Sequence, residues 1–316
     1  MYSFSNCVAK INKLVAYLCS IFHRMQLPDF LKITTDSIQL PFLQQKGISV
    51  EMLRLDKIHP VISGNKWFKL KYHLQNFSDK DYHGILTFGG AWSNHILATA
   101  CACQLKGIKS AGIIRGEKPS QLSYTLQQAE LYGMQLRFIP RETYKRKSEK
   151  EFFEEIIKKY PNYYIIQEGG AGAEGEKGAG EILQLFNKNK YTHILCAIGT
   201  STMFNGILSA SRTNQQIIGI SVIKGMNERK MKDSGKIFNN YHFGGYAKST
   251  PELIQFMNNF YRQTNIPTDF VYTGKLSFAL FDLLKKDFFP KESKILIIHS
   301  GGLQGNISLP QGTLIF

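Results

Sequence analysis

From about residue 48 the chain alternates two kinds of patterning. Short apolar runs recur as ISVEMLRLD, HGILTFGG, KSAGIIRGE, MQLRFIP, NYYIIQEGG, THILCAIGT, QIIGISVI and KILIIHSGG, and helix-like stretches separate them. Apolar runs this short that end in glycine predict strands buried in a parallel sheet, with the intervening helices as crossovers. The predicted fold class is α/β. Three runs end in a glycine pair, Gly89-Gly90, Gly169-Gly170 and Gly301-Gly302, and ILCAI runs into Gly199-Thr200-Ser201-Thr202. Ligands of open α/β sheets sit at the carboxyl ends of strands, so these four turns are expected to converge on one site. No internal repeat or low-complexity linker interrupts the pattern.

Composition adds mostly exclusions. A chain of 316 residues, 43% hydrophobic and 12% aromatic, can bury a large core in one big domain or two moderate ones. The net charge of +15 permits contact with polyanions, but lysine outnumbers arginine roughly threefold, and nucleic-acid readers lean on arginine. The charge runs at 141–151 and 227–236 also carry acids and read as solvated surface. No nucleic-acid partner is expected. Cys7, Cys19, Cys101, Cys103 and Cys196 form no CxxC pair, which predicts reduced thiols, a cytoplasmic setting and no metal site. The apolar stretch within residues 1–25 lacks a small-residue cleavage site and reads as an N-terminal extension. No stretch is long and apolar enough to cross a membrane.

Two glycine motifs resemble nucleotide signatures and fail on context. Gly170, Gly172 and Gly175 spell GxGxxG, yet the next strand offers no carboxylate for a ribose, so these glycines are expected to permit close backbone approach. Gly199 to Gly206 has the wrong spacing for a phosphate-binding P-loop, with Ile207 where lysine should stand.

The candidate chemistry lies in three segments. In SGNKWFKLKYHLQNF, Asn65 is the expected N-cap and Lys66 the first helical residue. A cation against the positive helix end costs about 0.3–1 kcal/mol, and the same field favours the neutral amine that a Schiff-base lysine needs. Lys69 and Lys71 lack that placement and are expected to be solvated. Gly199, Thr200, Ser201 and Thr202 present backbone N–H and hydroxyl groups at a helix start, which suits a phosphate. Ser93, Asn94 and His95, after Gly89-Gly90, form a second nest for a carboxylate. Two anion nests and a lysine at a helix start point to pyridoxal phosphate and an amino-acid substrate.

SGNKWFKLKY resembles the GGNKxRKLEY segment of the fold-type II pyridoxal-phosphate enzymes that include 1-aminocyclopropane-1-carboxylate (ACC) deaminase and D-cysteine desulfhydrase. The likeness continues through TFGGAWSNH, EGGAGAEGEKGAGEI, AIGTSTMFNG, FGGYAKSTPEL, DFVYTGK and IIHSGGLQG, from about residue 40 to the C-terminus. It implies a tryptophan-synthase-β-like fold of two open α/β domains. The large one comprises residues 1–69 and 172–316, the small inserted one residues 70–171. By motif, Lys66 matches the lysine that bonds the cofactor and moves the Cα proton. Asn94 matches the contact to the cofactor's 3′-oxygen, and Ser93 and His95 lie in the loop that holds the substrate carboxylate. Gly199 to Thr202 match the phosphate cup, and Tyr246 and Tyr272 match two active-site tyrosines. Thr273 matches the position facing the pyridine nitrogen. ACC deaminases resemble VYEGK there and D-cysteine desulfhydrases VYTGK. A neutral hydroxyl donating to an unprotonated nitrogen gives a weaker electron sink, which favours β-elimination from D-cysteine over opening of ACC. Two departures, Phe68 after the lysine and His95 after Asn94, bear on the substrate. The resemblance further implies a homodimer. Rival readings are a vitamin carrier without turnover, which would need neither tyrosine, and a basic nucleic-acid-binding module.

Overall fold

The computed structural model describes residues 27–78, 81–226 and 235–316. The extension expected over residues 1–25, with Cys7 and Cys19, and most of the charge run at 227–236 lie outside the described residues. All eight apolar runs form strands. In chain order the strands are β1 (Thr35–Ile38), β2 (Ser49–Arg54), β3 (Gly84–Gly89), β4 (Ser110–Arg115), β5 (Met134–Ile139), β6 (Tyr163–Ile166), β7 (His193–Ile198), β8 (Gln216–Ser221), β9 (Lys236–Phe238) and β10 (Lys294–His299). The α-helices are α1 (Pro41–Gln45), α2 (Asn65–Ser78), α3 (Asn94–Leu105), α4 (Tyr124–Leu131), α5 (Arg141–Lys145), α6 (Lys150–Lys159), α7 (Ala173–Gly180), α8 (Thr202–Ala210), α9 (Pro251–Thr264) and α10 (Thr273–Lys285).

The strands make two sheets, one ordered β1-β2-β10-β7-β8-β9 and one ordered β5-β4-β3-β6. β1 runs antiparallel to β2, and the other pairings are parallel. Side chains alternate across each sheet. Leu195 and Ala197 of β7 enter one core with Ile295 and Ile297, while Ile194, Cys196 and Ile198 enter the opposite core with Leu296 and Ile298. In the smaller sheet, Ile85 faces one core and Leu86 and Phe88 the other. Both sheets are covered on both faces, which explains why their strands read as continuous apolar runs.

The GxGxxG segment leads into α7, which contains its last glycine, Gly175, and is wedged between α2 and α8. A Cβ on Gly178 would lie 1.8 Å from the Phe68 carbonyl oxygen of α2, and one on Gly206 of α8 would lie 2.2 Å from the Glu176 carbonyl oxygen. Of the three GxGxxG glycines, Gly175 provides the expected close backbone approach, with Gly170 O 1.8 Å from where its Cβ would lie, and Gly178 and Gly206 extend it, so the lysine-bearing helix and the candidate phosphate helix share a common wedge. The start of α2 is fixed on its other side. Gly64 N donates to Leu55 O at 3.0 Å, and Asn65 N donates to Ser300 O at 3.2 Å, beyond the ends of β2 and β10.

Candidate active site

The four turns at the strand ends do converge. A Cβ on Gly169 would meet Thr200 at 2.7 Å, and one on Gly302 would meet Asn94 Nδ2 at 3.0 Å. Gly170 lies against Lys69 and His95 in the same way. These turns surround the start of α2.

Helix α2 begins at Asn65, one residue earlier than expected, and the Asn65 side chain does not cap it. Its Oδ1 accepts from Lys66 Nζ at 2.6 Å, and its Nδ2 points to Met203 Sδ at 3.1 Å, so Asn65 steers the lysine instead. Lys66 Nζ stands 5.8 Å from the centre of the Tyr272 ring. Burial lowers its pKa to about 8, with the Asp269 carboxylate pulling the other way. The shift gives Lys66 a far larger neutral fraction near physiological pH than an ordinary lysine has, as a nucleophile or base requires.

The expectation for Lys69 fails. It is buried, 6% exposed, and forms no hydrogen bond or ion pair among the described residues. One turn after Lys66, it points into the packed face that α2 presents to Gly170. Burial, and then the neighbouring Lys66 charge, lower its pKa to about 7. A buried amine with no ion-pair partner among the described residues, beside a turn that contacts Thr200, is one that an anionic ligand group would hold in its charged form. Lys71 is not free either, since it pairs with Glu181 at 2.5 Å. Phe68 is 2% exposed and sits in the core edge-to-face against Phe30, so this departure from the family motif is a packing change.

The turn after β7 has the geometry of an anion nest. Ser201 adopts φ 62°, which folds the chain into α8, and the Thr200 and Thr202 hydroxyls lie 3.0 Å apart at the helix start. At the second nest, Ser93 caps α3 by accepting from Ile96 N. Asn94 Oδ1 accepts from Gln304 Nε2 at 3.0 Å, which leaves the Asn94 Nδ2 as the available donor. His95 is turned away from the role expected of it. Thr87 Oγ1 gives its proton to Ile166 O, so His95 Nε2, 2.8 Å away, must donate to Thr87. The remaining Nδ1 is buried without a partner. Burial, Lys66 and Lys69 hold the His95 pKa well below 6.5. A neutral imidazole presenting only an acceptor cannot hold a carboxylate, so anion binding at this loop falls to Ser93, Asn94 and backbone N–H groups.

Tyr246 and Tyr272 face each other, with hydroxyls 3.4 Å apart and ring centres 6.0 Å apart. Burial, followed by Tyr246, raises the Tyr272 pKa well above 10, and burial also raises that of Tyr246. Both phenols therefore keep their protons. Lys275, which sequence reasoning passed over, holds the Tyr246 loop by donating to His242 O and Gly245 O, each at 2.8 Å. Thr273 is wholly buried, and its hydroxyl donates to Asp269 Oδ1 at 2.6 Å. It cannot also donate to an unprotonated ring nitrogen, which removes the physical basis for expecting a weak sink there.

A family model described as "Pyridoxal-phosphate dependent enzyme" matches residues 31–301. The chain belongs to this family. The residues fit the cofactor on their own terms: a depressed lysine amine, a nest and a buried amine for phosphate, and an oriented amide donor. Among curated proteins, it is similar to a "Putative 1-aminocyclopropane-1-carboxylate deaminase" of Pyrococcus horikoshii, 28% identical, spanning 82% of this chain and 86% of the relative. It is also similar to the "Bifunctional D-cysteine desulfhydrase/1-aminocyclopropane-1-carboxylate deaminase, mitochondrial" of Arabidopsis thaliana, 27% identical over 92% of this chain and 78% of the relative. In fold it is similar to a crystallised ACC deaminase homologue, with TM-score 0.75, 24% identity, and coverage of 90% of this chain and 94% of that one. The fold is that of the fold-type II pyridoxal-phosphate enzymes. No helix among the described residues is long and apolar enough to cross a membrane. Two surface grooves beside α9, of about 630 and 920 Å³, share no residue with this site.

Proposed function

We propose that this enzyme releases ammonia from a small α-amino acid, with D-cysteine as its preferred substrate and pyruvate and sulfide as the other products. The observation that carries the reading is Lys66, a lysine with its pKa lowered to about 8, bonded to Asn65 and facing the ring of Tyr272, one of two protonated tyrosines. Bound at Lys66, pyridoxal phosphate supplies a carbonyl carbon for the substrate amine and a ring that takes up electron density from Cα. The Lys66 amine would serve as the base for the Cα proton. Gly199 to Thr202 would hold the phosphate, with the Lys69 amine as a further partner for it. Asn94 Nδ2 contacts the ring oxygen, and Ser93 receives the substrate carboxylate. Tyr272 donates to Tyr246, whose half-exposed phenol is the group that can hand a proton to a departing thiolate.

What supports D-cysteine is the likeness of VYTGK to the desulfhydrase motif and not a weak electron sink at Thr273, whereas the names of the curated relatives support ACC as the second substrate. Residues 70–171, which carry β3 to β6, are the proposed inserted domain, and the active unit is proposed to be a cytoplasmic homodimer. Buried, unbridged Cys101, Cys103 and Cys196 suit a reducing compartment. The test is to offer D-cysteine, L-cysteine and ACC separately to the cofactor-loaded protein and to measure sulfide, keto acid and ammonia. Sulfide and pyruvate from D-cysteine support the reading. Keto acid from ACC without sulfide from either cysteine overturns the substrate.

A further inference from the structure

Asp269 is a carboxylate with 0% exposure that has no ion-pair partner among the described residues. Its oxygens are nonetheless saturated with donors. Oδ2 accepts from Val271 N at 3.0 Å and from Tyr272 N at 2.8 Å, while Oδ1 accepts from Thr273 N at 2.9 Å and from the Thr273 hydroxyl at 2.6 Å. Four donated hydrogen bonds are the pattern of an ionised carboxylate, since a protonated acid would have to donate one. Hydrogen bonds satisfy its lone pairs but leave its charge uncompensated at contact distance, and a buried charge in that condition calls for a cation.

The Thr273 hydroxyl is equally constrained. It spends its proton on Asp269 and accepts from Asp269 N at 2.8 Å, which leaves one lone pair of Oγ1 unused. Whatever group meets that lone pair must bring its own proton. Gly302 lies between Asp269 and Asn94, since a Cβ there would be 3.4 Å from the Asp269 carboxyl carbon and 3.0 Å from Asn94 Nδ2. The carboxylate and the proposed ring-oxygen contact therefore flank one spot. Asp269 is also felt by the rest of the site, acting on the titration of Lys66, Lys275, Tyr246 and Tyr272.

We propose that Asp269, acting through the Thr273 hydroxyl, holds the ring nitrogen of bound pyridoxal phosphate in its protonated form. This rests on the cofactor placement proposed above and on the motif resemblance, which implies that Thr273 faces the ring nitrogen. The nitrogen donates to Thr273 Oγ1, Thr273 donates to Asp269, and the buried carboxylate supplies the counter-charge. A threonine at this position then does the work of a glutamate by relaying the charge of Asp269, four residues earlier in the chain. The electron sink is that of a pyridinium, and opening of ACC is not barred by the Thr273 hydroxyl.

The test uses the full-length protein loaded with cofactor labelled with ¹⁵N at the ring, read by NMR against free cofactor in acid and in alkali. Visible absorbance first establishes that the cofactor is bound. Its absence, even with excess cofactor, overturns both this inference and the reading beneath it. With cofactor bound, wild type is expected at the protonated reference, and Thr273→Val, which keeps the Asp269 cap of α10, at the neutral one. Asp269→Asn is expected at the neutral position, and adding Thr273→Glu to it restores the protonated one. A neutral nitrogen in wild type, or a protonated one in Thr273→Val, overturns the inference while leaving the cofactor assignment intact. A purely structural role for Asp269 would shift stability and leave the nitrogen resonance where it was.

Discussion

Replacing Lys69 by methionine separates the stability of the cofactor-free protein from its affinity for the cofactor. Lys69 is 6% exposed and has its pKa lowered from 10.5 to about 7 by burial and by Lys66. At about 1.36 kcal/mol per pH unit, that difference corresponds to about 5 kcal/mol carried as a penalty below pH 7. The direction follows from proton counting. Between about pH 7 and pH 10.5 the unfolded chain holds a proton that the folded chain has released, so stability rises with pH across that window. Over the interval from about pH 7 to about pH 9 the Lys69 contribution alone comes to about 2 kcal/mol. Urea unfolding of the cofactor-free protein at both pH values, for wild type and Lys69→Met, measures it. Wild type is expected to gain about 2 kcal/mol more than the variant on going to the higher pH. The variant should also be the more stable protein at the lower pH. It should bind pyridoxal phosphate about tenfold or more weakly, because a charge-assisted hydrogen bond is lost. Equal pH dependence in the two proteins would refute the buried-cation assignment.

Two further outcomes follow from the packing. Gly178→Ala places a methyl 1.8 Å from the Phe68 carbonyl and should lower stability by about 1–3 kcal/mol or more in thermal or urea unfolding; an unchanged midpoint would mean that α7 does not seat against α2 as described. The His95 ring, neutral and bonded to Thr87, should show no titration between about pH 6 and pH 8 by NMR. A midpoint in that range would restore it as a carboxylate ligand.

Legibility from the chain depended on burial. The strands inside the two sheets were readable because both their faces are covered, and the edge strands β5 and β6 because they keep apolar residues although most of their positions are exposed or half-buried. β1 and β9 were not, since they are short edge strands with mostly exposed or half-buried residues and no apolar signal. At the site, Lys66 was readable because its helix-start position is local in sequence. Lys69, one turn on, was misread as solvated because its burial depends on Gly170 and α7, a hundred residues away. The partners that define chemistry were hidden for the same reason. Gln304 orients Asn94 and Lys275 clamps the Tyr246 loop through distant contacts, and Thr87, though near His95 in sequence, fixes its tautomer only because its hydroxyl is turned to the distant Ile166 O. Asp269 stood inside the quoted motif DFVYTGK, only four residues from Thr273. Its meaning appears only when the direction of the Thr273 hydroxyl is known.

The central claim is that Lys66 carries the cofactor, and borohydride reduction of the protein loaded with pyridoxal phosphate tests it most directly. Wild type should develop visible absorbance, and mass spectrometry of the reduced, digested protein should find the pyridoxyl group on the peptide at residue 66 alone. Lys66→Ala should develop no such band. A band that persists in Lys66→Ala, or a modification at Lys69 or Lys275 in wild type, would contradict it.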